Sequence, residues 1–81
     1  MMTRSEIEQQ VIVFLRDTLQ LDEAQLLPTT ELKRDLGLSS LDMKELVVFI
    51  YRTFSVQPIL PDVLAWVTLA DLYTYIELHQ S

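Results

Sequence analysis

At three places in this chain a hydroxyl side chain, followed three positions on by an acid, opens a run of apolar residues at helical spacing. The pattern satisfies otherwise unpaired amides at the mouth of a helix, so it marks where helices begin. Near the front, Thr3 with Glu6 and Ser5 with Glu8 both fit, and spacing leaves the choice open. The stripe behind them is Ile7, Val11, Phe14, Leu15 and Thr18, extended by Leu19. In the middle, Ser39 with Asp42 precedes Met43, Leu46, Val47, Ile50 and Phe54. Toward the end, Thr68 with Asp71 precedes Leu69, Leu72, Tyr73 and Ile76. No segment alternates at period two, so the expectation is an all-helical bundle.

Helix I is expected to fade near Leu21. Residues 22–38 then form a long connection, because Pro28 with Thr29 and Thr30 resists a continuous helix. Leu26, Leu27, Leu32 and Leu36 are expected to anchor it to the core, and Asp35 to fix it. A connection of this length in a compact domain points to function. Helix II runs from about Ser40 to Phe54. Pro61 suits the first position of a short helix III, Asp62–Trp66, and Thr68 opens helix IV. Trp66, Tyr73 and Tyr75 are expected to pack helices III and IV together. The result is a four-helix bundle with three longer helices and one short one.

The chain has 81 residues and 49% apolar composition, which bounds it to one domain, residues 1–81, with one core. Because it begins with its own methionine, it is expected to be free-standing. Cysteine is absent, which removes disulfides, thiolate metal sites and a cysteine nucleophile. The single histidine, His79, is third from the C-terminus, where it is expected to be a solvated residue in the last turn of a helix, and has no partner histidine. No metal site and no catalytic residue are expected, and hence no enzyme. A net charge of −6 disfavours nucleic acid and favours basic protein surfaces. The apolar run VIVFL, residues 11–15, is too short for a signal core or a membrane span. A soluble, cytoplasmic monomer without membrane insertion is the expectation.

The stretch DLGLSSLD, residues 35–42, concentrates the unusual chemistry. It holds the only glycine, Gly37, which permits a sharp turn into helix II. It also holds two adjacent hydroxyls where one cap suffices. Ser39 with Asp42 makes a sound cap, which leaves Ser40 beside unpaired amides and the positive end of the helix dipole, where a phosphate is welcome. Spacing alone does not decide which serine caps and which is free, and both could simply cap. Helix II also carries more apolar surface than one core needs, since Leu41, Val48 and Tyr51 lie off the core stripe.

The stretch DLGLSSLDMKEL resembles the phosphopantetheine attachment motif of acyl carrier proteins, whose core is commonly D-L-G-x-D-S-L-D followed by an acidic, partner-facing helix. The order of the remaining features is similar to that family along almost the whole chain: the helix I stripe, the long loop, Phe54 ending helix II, the proline-led helix III and the T-L-x-D-L opening of helix IV. The resemblance implies an acyl-carrier-like bundle with Ser40 as the attachment residue. A phosphopantetheinyl transferase would move a 4′-phosphopantetheine arm from coenzyme A onto its hydroxyl. The arm would carry acyl intermediates as thioesters to acyl-loading and acyl-processing enzymes of fatty-acid, polyketide or related specialised lipid biosynthesis. The chain itself would be non-catalytic, its chemistry residing in the cofactor.

The resemblance also implies a docking face on helix II, for which the candidates are Leu41, Asp42, Lys44, Glu45, Val48, Tyr51 and Arg52. Here the sequence departs from the family. Ser39 stands where bacterial fatty-acid carriers usually have an acid that meets the transferase. Lys44, Tyr51 and Arg52 occupy positions that are often apolar or acidic. Neither Lys44 nor Arg52 has an acid three or four residues away in the helix, so no local pair neutralises them. These departures point to a specialised carrier with dedicated enzymes. The competing expectation is an unmodified helical module that keeps the fold and binds a partner enzyme without an arm.

Overall fold

The computed structural model describes residues 1–80. Four α-helices account for its regular structure: α1 (Arg4–Asp17), α2 (Ser40–Phe54), α3 (Leu60–Ala65) and α4 (Leu69–His79), with a single 3₁₀ turn at Glu23–Gln25. There is no strand among the described residues, only an isolated antiparallel bridge between Glu31 and Thr68. The all-helical class and the three-long, one-short pattern are as the periodicity requires.

Each long helix starts on the expected cap. At α1 the choice falls on Thr3: its Oγ1 accepts the Glu6 N–H at 3.2 Å, and Glu6 Oε1 accepts the Thr3 N–H at 2.9 Å. Thr68 and Asp71 make the same reciprocal pair at α4. The Asp71 carboxylate also accepts the Val67 N–H, at 2.9 Å. Helix α3 begins two residues earlier than expected and ends at Ala65. Pro61 therefore occupies its second position rather than its first, because no amide in the first helical turn has an intrahelical acceptor for proline to forfeit.

The core is made from the expected faces. Ile7, Val11 and Leu15 of α1, Leu46 and Ile50 of α2, and Leu69, Leu72 and Ile76 of α4 are all fully buried. Each stabilises the fold by about 1.5–3 kcal/mol relative to an exposed position. Phe14 of α1 stacks on Phe49 of α2 at 4.3 Å, and Phe49 meets the edge of Phe54 at 5.8 Å. Thr18 ends the α1 stripe in solvent, since it is already the C-cap. At the other side of the bundle, Trp66 packs edge-on against Tyr75 at 5.2 Å, and the Tyr75 hydroxyl donates to Asp62 at 2.7 Å. Those contacts join α3 to α4.

The long α1–α2 connection is held by backbone bonds to the start of α4. Thr30 O accepts the Leu69 N–H at 3.0 Å, and Pro28 O accepts the Ala70 N–H at 2.9 Å. The loop thereby supplies acceptors for first-turn amides of α4. In return the Leu32 N–H donates to Val67 O at 2.9 Å. Leu26, Leu32 and Leu38 are buried, and Leu36 is half-buried. Leu27, expected as an anchor, is instead 56% exposed. The anchor at that point is polar: the buried Thr30 hydroxyl donates to Gln25 O at 2.6 Å and accepts the Leu27 N–H at 3.0 Å. Asp35 fixes the next turn by accepting the Glu31 N–H at 2.8 Å.

Candidate functional site

Gly37 closes the loop in the left-handed region, with φ +62°. Its N–H donates to Lys33 O at 3.0 Å, the bond that commonly ends a helical turn through a left-handed residue. The chain then extends through Leu38 and Ser39 into α2. Ser39 is the N-cap: its Oγ accepts the Asp42 N–H at 3.1 Å, and Asp42 Oδ2 accepts the Ser39 N–H at 3.0 Å. Capping is therefore complete without Ser40. Ser40 is the first helical residue, exposed, with no hydrogen-bond partner for its hydroxyl among the described residues. Of the two readings left open by spacing, the structure selects Ser39 for the cap.

Ser40 stands on the rim of an open groove of about 830 Å³. Its floor is apolar, with Leu38, Met43 and Val47 on one side and Pro58, Val63 and Leu64 on the other. The α3 wall had no assigned role in the sequence. The signal was present, however: a six-residue helix cannot bury Leu60, Val63 and Leu64 together, and Leu60 and Leu64 remain 68% and 63% exposed. Lys33 and Lys44 also line this groove. Lys33 was not singled out by the sequence, because its place on the groove depends on the fold of the loop.

The other candidates share one side of α2. At about 100° per residue, Ser40, Leu41, Lys44, Glu45, Val48, Tyr51 and Arg52 span an arc of about 140° opposite the core stripe. Leu41, Val48 and Tyr51 are 65%, 47% and 55% exposed. Lys44, Glu45 and Arg52 are exposed as well. Asp42 lies off this arc, half-buried, with its carboxylate engaged in the cap. A second, smaller groove of about 440 Å³ runs beside the arc, where Lys44, Glu45, Val48 and Arg52 face Phe14 of α1 and its C-cap Thr18.

The arrangement suits attachment and presentation. One hydroxyl is free, at a helix start that favours an anion. An apolar groove begins beside it, and an exposed mixed surface extends behind it.

Comparison with known proteins bears on the family and the fold. A family model described as the phosphopantetheine attachment site matches residues 9–76. Among solved structures, the chain is similar to the solution structure of the apo doublet acyl carrier protein from prodigiosin biosynthesis, with a TM-score of 0.77 and 22% sequence identity. The match covers 94% of this chain and 37% of that one, so this chain spans little more than a third of its neighbour's length. At that identity the likeness establishes the fold. Since the family model covers most of the sequence, the chain belongs to the phosphopantetheine-attachment family and is a non-catalytic carrier domain of acyl-carrier fold that holds a covalent 4′-phosphopantetheine.

Proposed function

We propose that this domain, residues 1–81, is a carrier of acyl intermediates with Ser40 as its attachment residue. The observation that carries this reading is the division of labour between the serines: Ser39 completes the cap and Ser40 keeps an exposed, unengaged hydroxyl. With a phosphopantetheinyl transferase and Mg²⁺, Ser40 Oγ attacks the pantetheine-side phosphorus of coenzyme A. A P–O bond forms to Ser40, the phosphoanhydride breaks, and adenosine 3′,5′-bisphosphate leaves. The serine proton passes to a base of the transferase. The bound arm supplies a terminal thiol on which an acyl group is carried as a thioester.

The chain's own residues do the rest. Leu38, Met43 and Val47, with the α3 wall, shelter apolar cargo from water. The exposed arc of Leu41, Lys44, Glu45, Val48, Tyr51 and Arg52 meets the loading and processing enzymes. Asp42 supports that face through the cap. Two uncompensated cations on the arc set it apart from a uniformly acidic docking face and favour a specialised lipid or polyketide pathway with dedicated enzymes.

The test is intact mass after incubation with coenzyme A, Mg²⁺ and a broad-specificity transferase, run on the wild type, Ser40→Ala and Ser39→Ala. The expected result is a gain of one phosphopantetheine in the wild type and Ser39→Ala and none in Ser40→Ala. Gain in Ser40→Ala but not in Ser39→Ala would move the site by one residue. No gain in folded wild type with several transferases would replace the carrier by the unmodified interaction module.

A further inference from the structure

The chain has six Lys and Arg residues against twelve acids, so a cation without an acidic neighbour is conspicuous. Arg4 pairs with Glu77, Arg16 with Asp17 and Glu23, and Arg34 with Glu31 and Asp35. Lys33, Lys44 and Arg52 have no ion pair among the described residues. These three border the two grooves that flank α2, and Lys33 and Lys44 both line the groove on whose rim Ser40 stands.

Resting on Ser40 as the attachment residue, we propose that Lys44, reinforced by Lys33 from the loop, binds the phosphodiester of the attached arm and so directs the arm along the α2–α3 groove. Lys44 is one helical turn beyond Ser40. Side chains at this spacing have Cβ atoms about 6 Å apart, and an anion N-terminal to a cation is the favourable order. The helix start adds its positive end on the other side of the phosphate. Among the described residues no acid lines this groove beside Lys44: Asp42 Oδ2 accepts the Ser39 N–H, and Glu45, which borders the second groove together with Lys44, makes no ion pair with it. Unlike the apolar floor, which any fatty cargo could use, this pair acts on the one anion that is always present once the arm is attached.

The experiment compares apo and holo forms, each verified by mass, of the wild type, Lys44→Gln, Lys33→Gln, Lys44→Arg and, as a distant cation control, Arg34→Gln. The readouts are the holo-minus-apo difference in Tm and the ³¹P resonance of the phosphodiester. At low ionic strength that difference is expected to be about 1–4 °C more favourable in the wild type than in Lys44→Gln, as for one exposed ion pair in a domain of this size. Lys33→Gln gives a smaller change in the same direction, and Lys44→Arg and Arg34→Gln retain the wild-type difference. In 1 M salt, where charges are screened within about 3 Å, the gap closes. The ³¹P resonance moves in Lys44→Gln and not in Arg34→Gln. Equal holo-minus-apo differences in wild type and Lys44→Gln, with an unmoved resonance, would overturn the inference and leave Lys44 to a partner's carboxylate. Failure of wild type to load would instead remove the attachment reading on which it rests.

Discussion

Gly37 shows how one residue sets the direction of approach to the site. Its φ of +62° is one that a Cβ disfavours, yet a Cβ built there meets nothing within 4 Å. Substitution would therefore introduce backbone strain without a clash. Gly37→Ala is expected to destabilise the domain by about 1–2 kcal/mol, and Gly37→Asn by less, because asparagine tolerates the left-handed region. Urea denaturation of the three proteins checks this order. Ser39 and Ser40 illustrate what could be read at this scale and what could not. Their sequence showed one hydroxyl too many for a cap. The assignment to Ser39 needed the backbone, since the capping oxygen belongs to the residue with extended angles just outside the helix, here φ −80° and ψ 172°.

At the scale of elements, the loop before α2 and the start of α4 form one unit. Thr30 is its pivot: the hydroxyl bridges Gln25 O and the Leu27 amide, and the carbonyl receives the Leu69 amide. Thr30→Val keeps the shape but removes the hydroxyl partner of the Gln25 carbonyl and the Leu27 amide, both of which water can reach. It is expected to cost about 0.5–1.5 kcal/mol. Native-state hydrogen exchange should show faster exchange at Leu27, and also at Leu69 and Ala70 if the loop and helix open together. The helices themselves were legible because a 3.6-residue period and three capping pairs agree with one another. The loop was less so. Leu27 and Thr30 exchange the roles that hydrophobicity alone assigns, since loop residues have no periodicity and their burial follows hydrogen bonding. The groove wall of α3 was likewise hidden, because it needs two elements distant in sequence to be set side by side.

For the molecule as a whole, acid is the condition that tests several of these features together. Backbone hydrogen bonds from Thr68 and Val67 hold the Asp71 carboxyl below its usual range. The Thr3 amide lowers Glu6 similarly, and the hydrogen bond from Arg16 lowers Asp17. A carboxyl lowered by folding stabilises the native state fully above its unfolded value, and that contribution is lost as pH falls through its folded value. Tm is therefore expected to fall as pH drops below the ordinary values of 4.5 for Glu6 and 3.8 for Asp17 and Asp71. Thermal melts from pH 6 to pH 2 check this, and Asp71→Asn should show a shallower loss. At the alkaline end the sign reverses: burial pushes the Tyr73 hydroxyl up to about 12, so stability declines as pH rises from its ordinary value of 10 through that point. No described helix is long and apolar enough to cross a membrane. Exposed apolar side chains stand on α2 (Leu41, Val48, Tyr51) and α3 (Leu60, Leu64), and also at Val13, Leu27 and Leu78 elsewhere on the surface.

The two ends of the described chain are fastened to each other. The Met2 N–H donates to Gln80 Oε1 at 3.0 Å, and the Gln80 side-chain amide donates to Met2 O at 2.6 Å. Since α1 leaves this point and α4 returns to it, the two helices run in opposite directions from a common anchorage. A pull on both ends would load this clasp first, then peel α1 from α4 turn by turn, as a zipper opens. Mechanical resistance would be low despite the tight core, because only one turn of contact bears the force at any moment.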